Sequence, residues 1–325
     1  MGPALSPQPL RFAVFGAGAI GAYYGARLAE GGADVSLIAR GAHLDALREH
    51  GLTIVTAERT SEHRLFATDD PAEIGPVDVV LFCVKSYDTD VTAARLGPLL
   101  RDGTAVVSLQ NGVDNEERIA AAVGWEHVLG GSAYILAGIR EPGVIAAGGP
   151  RRIVFGEWAG GEPSVRVRAI LEACERGGIG AAAAPDIRVA KWEKFTLLAA
   201  FSAMTATVRL GLGEIRDAPA AKAMLHALMT EVWAVGRADG VNLADDLVER
   251  QFGLLTAQVP EATASLYRDL ITGHRMELEA LQGTVIRLGR RHGVLTPWMD
   301  AAYAILQPWA QRNALPSADR APIPD

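Results

Sequence analysis

The segment from residue 10 to residue 40 constrains the fold of this chain most strongly. An apolar run at 10–15 is followed by a glycine-rich turn, a helical stretch at 22–30 and a second strand at 34–39. The turn reads Gly16-Ala17-Gly18-Ala19-Ile20-Gly21, which is G-x-G-x-x-G. In that motif the first glycine permits the tight turn, the second lets a pyrophosphate approach the backbone, and the third lets the helix pack on its strand. This order of elements predicts a dinucleotide-binding fold, with all six turn residues at the cofactor.

The residue after the second strand indicates which dinucleotide is bound. Enzymes that use the unphosphorylated nucleotide usually place Asp or Glu there, where it accepts from the ribose hydroxyls. This chain has Arg40 instead, and a guanidinium forms charge-assisted hydrogen bonds with a 2′-phosphate. NADPH is therefore the predicted cofactor; the alternative is that Arg40 is an ordinary solvated loop residue.

Strands and helices alternate up to residue 185, which predicts an α/β domain built on a Rossmann-like doubly wound sheet. Buried strands are predicted at 77–84 and 104–109, a helix at 86–100, and a second helix at 114–123 that Asp114 caps. The other predicted elements are a hairpin of 52–56 with 63–67, strands at 128–139, 144–147, 153–157 and 180–184, and a helix at 162–176.

After Pro185-Asp186 the apolar residues recur almost only at helical spacing. Helices are predicted at 187–206, 218–239, 244–257, 261–292 and 297–309. The expected organisation is a disordered leader (1–9), a dinucleotide-binding domain (10–185), an all-α catalytic and substrate domain (186–312) and a mobile tail (313–325). In such proteins the cleft between the domains is the default catalytic site.

Composition argues for a small-molecule partner. The formal net charge is −7 and no run of Lys or Arg exists, which excludes the usual surface for nucleic acid or an anionic membrane. No apolar stretch is long enough to span a bilayer. The two cysteines, Cys83 and Cys174, have no zinc-ligand spacing and are predicted to be buried free thiols in a reducing cytoplasm.

Several motifs together resemble the ketopantoate reductase family, the NADPH-dependent 2-dehydropantoate 2-reductases. They are the glycine turn, Arg40, Cys83-Val84-Lys85, Gln110-Asn111-Gly112, Lys191-Trp192-Glu193-Lys194 and the run from Met276 to Gly283. The resemblance extends over residues 11–311. It implies a Rossmann-like domain followed by a helical domain, NADPH as the cofactor, no metal, a 2-oxo acid substrate and, as a further candidate partner, a second copy of the chain.

Lys194 is the predicted general acid. On a helix it shares a face with Leu198, Phe201 and Thr205, so the lysine borders apolar surface, where desolvation lowers a lysine pKa toward neutrality. Such a group can protonate the alkoxide that forms when hydride adds to a ketone, and the family's general-acid lysine falls on this position. The alternative is a lysine that extends from the helix edge into solvent. Lys191, one turn earlier, is expected to lie at the solvated helix start.

The resemblance implies roles for four further residues. Asn111 follows a strand at its carboxyl end, and the family asparagine there touches substrate and the nicotinamide end of the cofactor. Lys85 corresponds to a contact near the adenosine phosphate. Glu277, placed within the predicted helix 261–292, corresponds to a glutamate that holds the substrate hydroxyl or the nicotinamide ribose. Ser265 corresponds to a serine that binds the substrate carboxylate; the alternative is a serine that makes a local hydrogen bond near the start of a helix.

The chain departs from the family pattern around the substrate. Leu198 and Ser202 stand where asparagines usually line the pocket, and Leu212 stands at a third such place. Each lost amide contact is worth about 1 kcal/mol, so a dihydroxy acid should bind less well unless other groups replace them. Asp88 stands near Lys85 where glutamine is common, and an acid is a poor neighbour for a phosphate.

The leading interpretation is NADPH-dependent reduction of 2-dehydropantoate to pantoate. The same chemistry on a less polar 2-oxo acid or ketone is the first alternative. The second is a redox sensor that binds nucleotide without turnover, although binding alone would require none of Lys194, Asn111 and Glu277. The 3-hydroxy acid dehydrogenases also use a lysine on a helical domain, but their substrate-binding glycine motif has no counterpart here.

Overall fold

The computed structural model describes residues 9–320, which form two compact units. The first unit runs to Gln110 and resumes over Asn115–Ile187, and the second comprises Asn111–Asp114 and the chain from Arg188 onward. The four residues Asn111–Asp114 thus belong to the second unit, although they lie far from the rest of it in sequence. The predicted leader lies almost wholly outside the described residues.

The first unit is built on a ten-stranded mixed sheet. Its strands are β1 (Arg11–Phe15), β2 (Asp34–Ile38), β3 (Leu52–Val55), β4 (Thr60–His63), β5 (Phe66–Thr68), β6 (Val79–Phe82), β7 (Ala105–Ser108), β8 (Val128–Glu141), β9 (Val144–Glu157) and β10 (Gly180–Ala183). The order is β4-β3-β9-β8-β7-β6-β1-β2-β5, with β10 paired to β9. Strands β5, β2, β1, β6, β7 and β8 pair in parallel, which confirms the Rossmann-like prediction.

The central strands end together at one edge of the sheet. Phe15 at the end of β1 pairs with Ile38 of β2 and with Phe82 of β6. Strands β6 and β7 are buried along their whole length, as expected where both faces of a parallel sheet are covered. This register brings the glycine turn after β1 to the same edge as the segments that follow β2 and β6.

The helices of this unit are α1 (Ala19–Glu30), α2 (Gly41–Glu49), α3 (Thr89–Ala93), α4 (Asn115–Val123) and α5 (Val165–Arg176). The predicted helix at 86–100 is wrong, because only α3 and flanking 3-10 turns form there. Pro98 gives the physical reason: it has no N–H to donate to the carbonyl of Ala94, and its ring would clash with that carbonyl in a continuous helix.

The small hairpin exists, but its second strand differs from the prediction. β3 pairs antiparallel with β4, with Leu52 opposite His63. Residues 66–68 instead form β5 and pair with β2 at the other edge of the sheet. The predicted strands at 144–147 and 153–157 are one strand, β9, which pairs antiparallel with β8 through irregular register near Tyr134.

The second unit is helical, as predicted. Its helices are α6 (Ile187–Val208), α7 (Leu212–Asp217), α8 (Pro219–Ala238), α9 (Leu247–Thr256), α10 (Ser265–Thr272), α11 (Thr284–His292) and α12 (Pro297–Ala314). Its core includes Trp192 and Phe195 of α6 with Leu228 and Val232 of α8. None of the helices within residues 9–320 has the length and apolarity needed to cross a membrane.

The predicted long helix at 261–292 is wrong. α10 ends where Gly273 takes a left-handed conformation with φ of 73°, and His274 N donates to Asp269 O at 2.8 Å. This is a Schellman-type ending, which a glycine makes at little cost. Helical structure resumes only at Leu278, with a π turn over Glu279–Gly283 that leads into α11.

The predicted tail is shorter than expected. α12 continues to Ala314, and the buried Asn313 Nδ2 donates to Asp269 O and Leu270 O at 3.3 Å each. Asn313 and Ala314, with which the predicted tail begins, therefore belong to α12, and Asn313 packs on the end of α10. The remainder, residues 321–325, lies outside the described part of the chain.

Candidate functional site

Two glycines of the turn are fixed by steric limits. Gly16 has φ of +91°, and a Cβ on it would lie 2.7 Å from the backbone N of Val84. A Cβ on Gly21 would lie 2.5 Å from Gly16 O. Gly16 N and Ala17 N both donate to Ile38 O, at 3.1 and 2.9 Å. Any side chain at Gly16 or Gly21 would therefore separate the turn from β2 and β6.

Gly18 differs from these two because the space beside it is open. An ideal Cβ built on Gly18 meets no atom of the described residues within 4 Å, and its φ of −72° is accessible to any residue. Gly18 is the N-cap of α1, and Ala19 and Ile20 are the first residues of that helix. The first N–H groups of a helix have no intrahelical partner and favour an anion. This cradle fits the pyrophosphate of a dinucleotide.

Arg40 and Asp88 form an ion pair beside this cradle. The Nη2 atom of Arg40 donates to the Oδ2 atom of Asp88, and 83% of the Arg40 side chain is exposed. Lys85 is also exposed, directly after the loop that follows β6. A phosphate placed at Arg40 would therefore compete with Asp88 for the guanidinium.

The second unit holds the predicted general acid. Lys194 of α6 donates from Nζ to Oδ1 of Asn111 at 3.0 Å, across 83 positions of sequence. Asn111 takes part in an Asn-Gly turn in which Gly112 has φ of +105°. Gln110, which precedes it in the first unit, donates from Nε2 to Val84 O at 2.9 Å and to Thr89 Oγ1 at 2.8 Å. The sequence analysis singled out Gln110-Asn111-Gly112 as a motif, but it did not predict these hydrogen bonds.

The surroundings of Lys194 change its acidity. Burial and the positive charge of Lys191 lower the pKa of Lys194 to about 7, although the Glu277 carboxylate acts in the opposite direction. A lysine near neutrality is divided between its acid and its base form at physiological pH. The expectation of a solvated Lys191 is wrong: it is only 3% exposed.

Glu277 lies outside any helix, in the segment between α10 and the π turn, and it is buried. The predicted position within a long helix was therefore wrong, although the carboxylate is near enough to affect the pKa of Lys194.

Ser265 is the first residue of α10 and is partly exposed. Asp114, predicted as the cap of α4, accepts at Oδ2 from Arg287 and from Thr284 Oγ1.

Gln282 is a residue whose contacts the sequence did not indicate. It is fully buried in the π turn, and its Nε2 donates to Ser202 Oγ and to Ala199 O, both at 2.9 Å. The Ser202 hydroxyl also donates to Ala199 O at 3.1 Å. Ser202 is fully buried, so a direct contact with substrate would require this arrangement to open.

The other two departures from the family pattern differ in exposure. Leu198 is partly exposed and lies one helical turn after Lys194 on α6. Leu212 is fully buried in the helical core, and its N donates to Ala262 O at 3.1 Å. Of the three positions, Leu198 alone has surface that a ligand could touch.

Two models of one protein family together match most of the chain. The family model "Ketopantoate reductase PanE/ApbA" matches residues 12–160, and the model of the C-terminal part of the same family matches residues 186–310. A 2-dehydropantoate 2-reductase of Halobacterium salinarum is 32% identical over 290 residues, which is 89% of this chain and 95% of the relative. One of Mesorhizobium japonicum is 31% identical over 319 residues, 92% of this chain and 97% of the relative.

Among solved structures, a PanE/ApbA family ketopantoate reductase of Ralstonia eutropha superimposes with a TM-score of 0.87 at 30% identity, covering 94% of this chain and 100% of that one. The fold and the relatives define an oxidoreductase that acts on a CH–OH group. The chain belongs to the ketopantoate reductase family, which uses NADPH.

Proposed function

We propose that the protein reduces a 2-oxo acid with NADPH, and that 2-dehydropantoate, reduced to pantoate, is the first candidate substrate. The observation that carries the proposal is the hydrogen bond from Lys194 to Asn111 with the pKa of Lys194 lowered to about 7. A sensor that only binds nucleotide would not need a lysine whose pKa lies near neutrality. The relatives named 2-dehydropantoate 2-reductase support the choice of substrate.

Lys194 delivers the proton in this proposal. Its Nζ holds a proton below about pH 7 and gives it to the oxygen that becomes the hydroxyl of the product. Asn111 Oδ1 accepts from Nζ and so directs the ammonium group. The carboxylate of Glu277 favours the protonated form and thus limits how far burial lowers the pKa. Ser265 and Leu198 are the proposed substrate contacts, whereas the buried Ser202 hydroxyl accepts from Gln282.

The first unit would hold the cofactor. The N–H groups at Gly18, Ala19 and Ile20 fit the pyrophosphate, while Arg40 and Lys85 supply positive charge for the adenosine phosphate. When bound, NADPH supplies the hydride. Cys83 and Cys174 are free, and burial raises the pKa of each to about 12, which suits unreactive thiols in the cytoplasm we propose for this enzyme. A homodimer stays a prediction.

The test of the reaction is a panel of 2-oxo acids. Purified protein with NADPH should oxidise the cofactor when 2-dehydropantoate or a related 2-oxo acid is added, as followed by the loss of absorbance of the reduced nicotinamide. Panel members should include the dihydroxy compound, branched apolar acids and an aromatic acid. No turnover with any of them, together with retained NADPH binding, would favour the redox sensor instead.

A less polar substrate is the second candidate, because Leu198 offers apolar surface where the family usually has an amide. Leu198→Asn should raise kcat/KM for 2-dehydropantoate about fivefold to tenfold and lower that for a branched apolar acid, since a regained amide contact is worth about 1 kcal/mol. The measurement is kcat/KM for both acids in parent and variant. A parent already most active on 2-dehydropantoate, and unimproved by the exchange, would contradict it.

Ser202→Asn is the matched control for Leu198→Asn, because it introduces the same amide at a buried position. Ser202 is fully buried and its hydroxyl is already bonded to Gln282, so a larger amide would overpack the site. We expect Ser202→Asn to lower the melting temperature, at a cost of about 1 to 3 kcal/mol, without any gain in activity on 2-dehydropantoate.

Cofactor choice should depend on Arg40 and Asp88. Arg40→Ala should raise the NADPH Kd by about tenfold to a hundredfold while the NADH Kd stays unchanged, because a charged phosphate contact is worth about 1.5 to 3 kcal/mol. Asp88→Asn should lower the NADPH Kd, because it removes the carboxylate that pairs with Arg40. Titration of each variant with both nucleotides measures this, and equal losses for NADPH and NADH in Arg40→Ala would show that the arginine does not read the phosphate.

A further inference from the structure

His43 of α2 links the glycine turn to a distant turn of the sheet. Its Nε2 atom lies 2.9 Å from Ala17 O, and its Nδ1 atom lies 3.1 Å from Gly143 N. Gly143 lies between β8 and β9 with φ of +81°, and its own carbonyl accepts from Thr53 N at 2.8 Å. The ring is partly buried, and its two partners, Ala17 and Gly143, lie 26 and 100 positions away from it in sequence.

These contacts fix the proton of the ring. A backbone N–H can only donate, so Nδ1 of His43 must accept from Gly143. In a neutral imidazole the other nitrogen then carries the hydrogen, and Nε2 donates to Ala17 O. Burial also lowers the pKa of His43, which favours this neutral form.

The hydrogen bond to Ala17 affects the residue that follows. The carbonyl of Ala17 and the N–H of Gly18 belong to one planar trans peptide, in which the two groups point in opposite directions. Ala17 N is already held by Ile38 O at 2.9 Å. With its carbonyl held by His43, the next N–H, that of Gly18, is directed away from the ring.

We propose that His43 is a positioning residue for the nucleotide: by donating to Ala17 O, it orients the Gly18 N–H that binds the cofactor's pyrophosphate. This inference rests on the proposed binding of NADPH at Gly16–Gly21. Because this peptide is already held in the free protein, it loses no rotational freedom when the cofactor binds. Such preorganisation raises affinity. Through His43, helix α2 thus takes part in shaping the glycine turn.

Two variants separate the contacts of the ring. His43→Gln places an amide N–H near the position of Nε2 and keeps the donor to Ala17 O, whereas His43→Asn places an amide oxygen near Nδ1 and keeps only the acceptor for Gly143 N. We expect His43→Asn to raise the NADPH Kd about tenfold and His43→Gln to change it less than about threefold. The KM for NADPH should follow the Kd, while kcat and the KM for the oxo acid stay near the parent values.

The measurements are titration of NADPH by tryptophan fluorescence and the melting temperature of each variant. Equal NADPH affinity in His43→Asn and parent, or equal weakening in both variants, would overturn the inference while leaving the proposed function intact. A parent that does not bind NADPH would overturn both. If His43→Asn does not fold, 15N spectra of the parent imidazole decide: a proton on Nδ1 rather than Nε2 would contradict the proposal, and one on Nε2 supports it.

Discussion

Lys194→Ala should lower kcat by at least about a hundredfold while NADPH affinity stays near the parent value. The alkoxide that forms on hydride addition needs a proton donor within hydrogen-bond reach, and the proposed donor is Nζ of Lys194, which donates to Asn111 Oδ1 in the free protein. The groups proposed to hold the pyrophosphate and the adenosine phosphate of NADPH all belong to the first unit. Steady-state rates at saturating NADPH, with a separate nucleotide titration, measure both quantities.

Lys222→Ala is the matched control. The chain has four lysines, and Lys222 is exposed on α8, so its truncation should leave kcat unchanged. Lys191 is unsuitable as a control, because its buried charge helps to lower the pKa of Lys194. A Lys194→Ala enzyme that keeps most of its kcat, with normal melting temperature, would show that another group supplies the proton.

The pH profile gives an independent reading of the same group. The proposed mechanism requires the acid form of Lys194, and this form is lost as pH rises through its pKa of about 7. The kcat/KM for reduction should therefore be flat at lower pH and fall above about pH 7. Lys191→Met removes a positive charge that lowers the pKa of Lys194, so it should move the break to higher pH. A profile without any break near neutrality would contradict the assignment.

The first unit was largely predictable because its signals are local. The strand, turn, helix and strand of residues 10–40 follow one another in sequence, and each carries its own apolar or glycine pattern. The long helix was mispredicted because the helical period continues through Gly273, although a single left-handed residue is enough to end α10. Helical spacing of apolar residues therefore did not reveal that Glu277 lies in a linking segment.

Contacts between distant residues could not be predicted from spacing. The bonds from Lys194 to Asn111 and from Gln282 to Ser202 each join residues about 80 positions apart. Family resemblance indicated Lys194 and Asn111 separately, yet the burial of Lys191 follows from packing within the helical unit and has no signature in one sequence. The Arg40–Asp88 pair likewise depends on the sheet register, which brings the segments after β2 and β6 to one edge.

Gly18→Ala should raise the NADPH Kd by about a hundredfold or more and leave the fold intact. A methyl group on Gly18 meets no described atom within 4 Å, and the φ of −72° suits alanine, so the loss of stability should be about 1 kcal/mol at most. The methyl would instead occupy the space proposed for the pyrophosphate and prevent two charged hydrogen bonds, each worth about 1.5 to 3 kcal/mol. Nucleotide titration and thermal unfolding measure the two effects separately.

Gly253→Ala is the control for the same chemical change. Gly253 lies on α9, and its Cβ would also meet nothing within 4 Å, so NADPH binding should be unaffected and the helix slightly stabilised. Gly16→Ala is the opposite control, because its Cβ would lie 2.7 Å from Val84 N at a φ of +91°, and we expect it to destabilise the first unit itself. A Gly18→Ala protein that binds NADPH as tightly as the parent would place the pyrophosphate away from the glycine turn, because an open cradle that tolerates a methyl group without loss of affinity cannot be in contact with the phosphate.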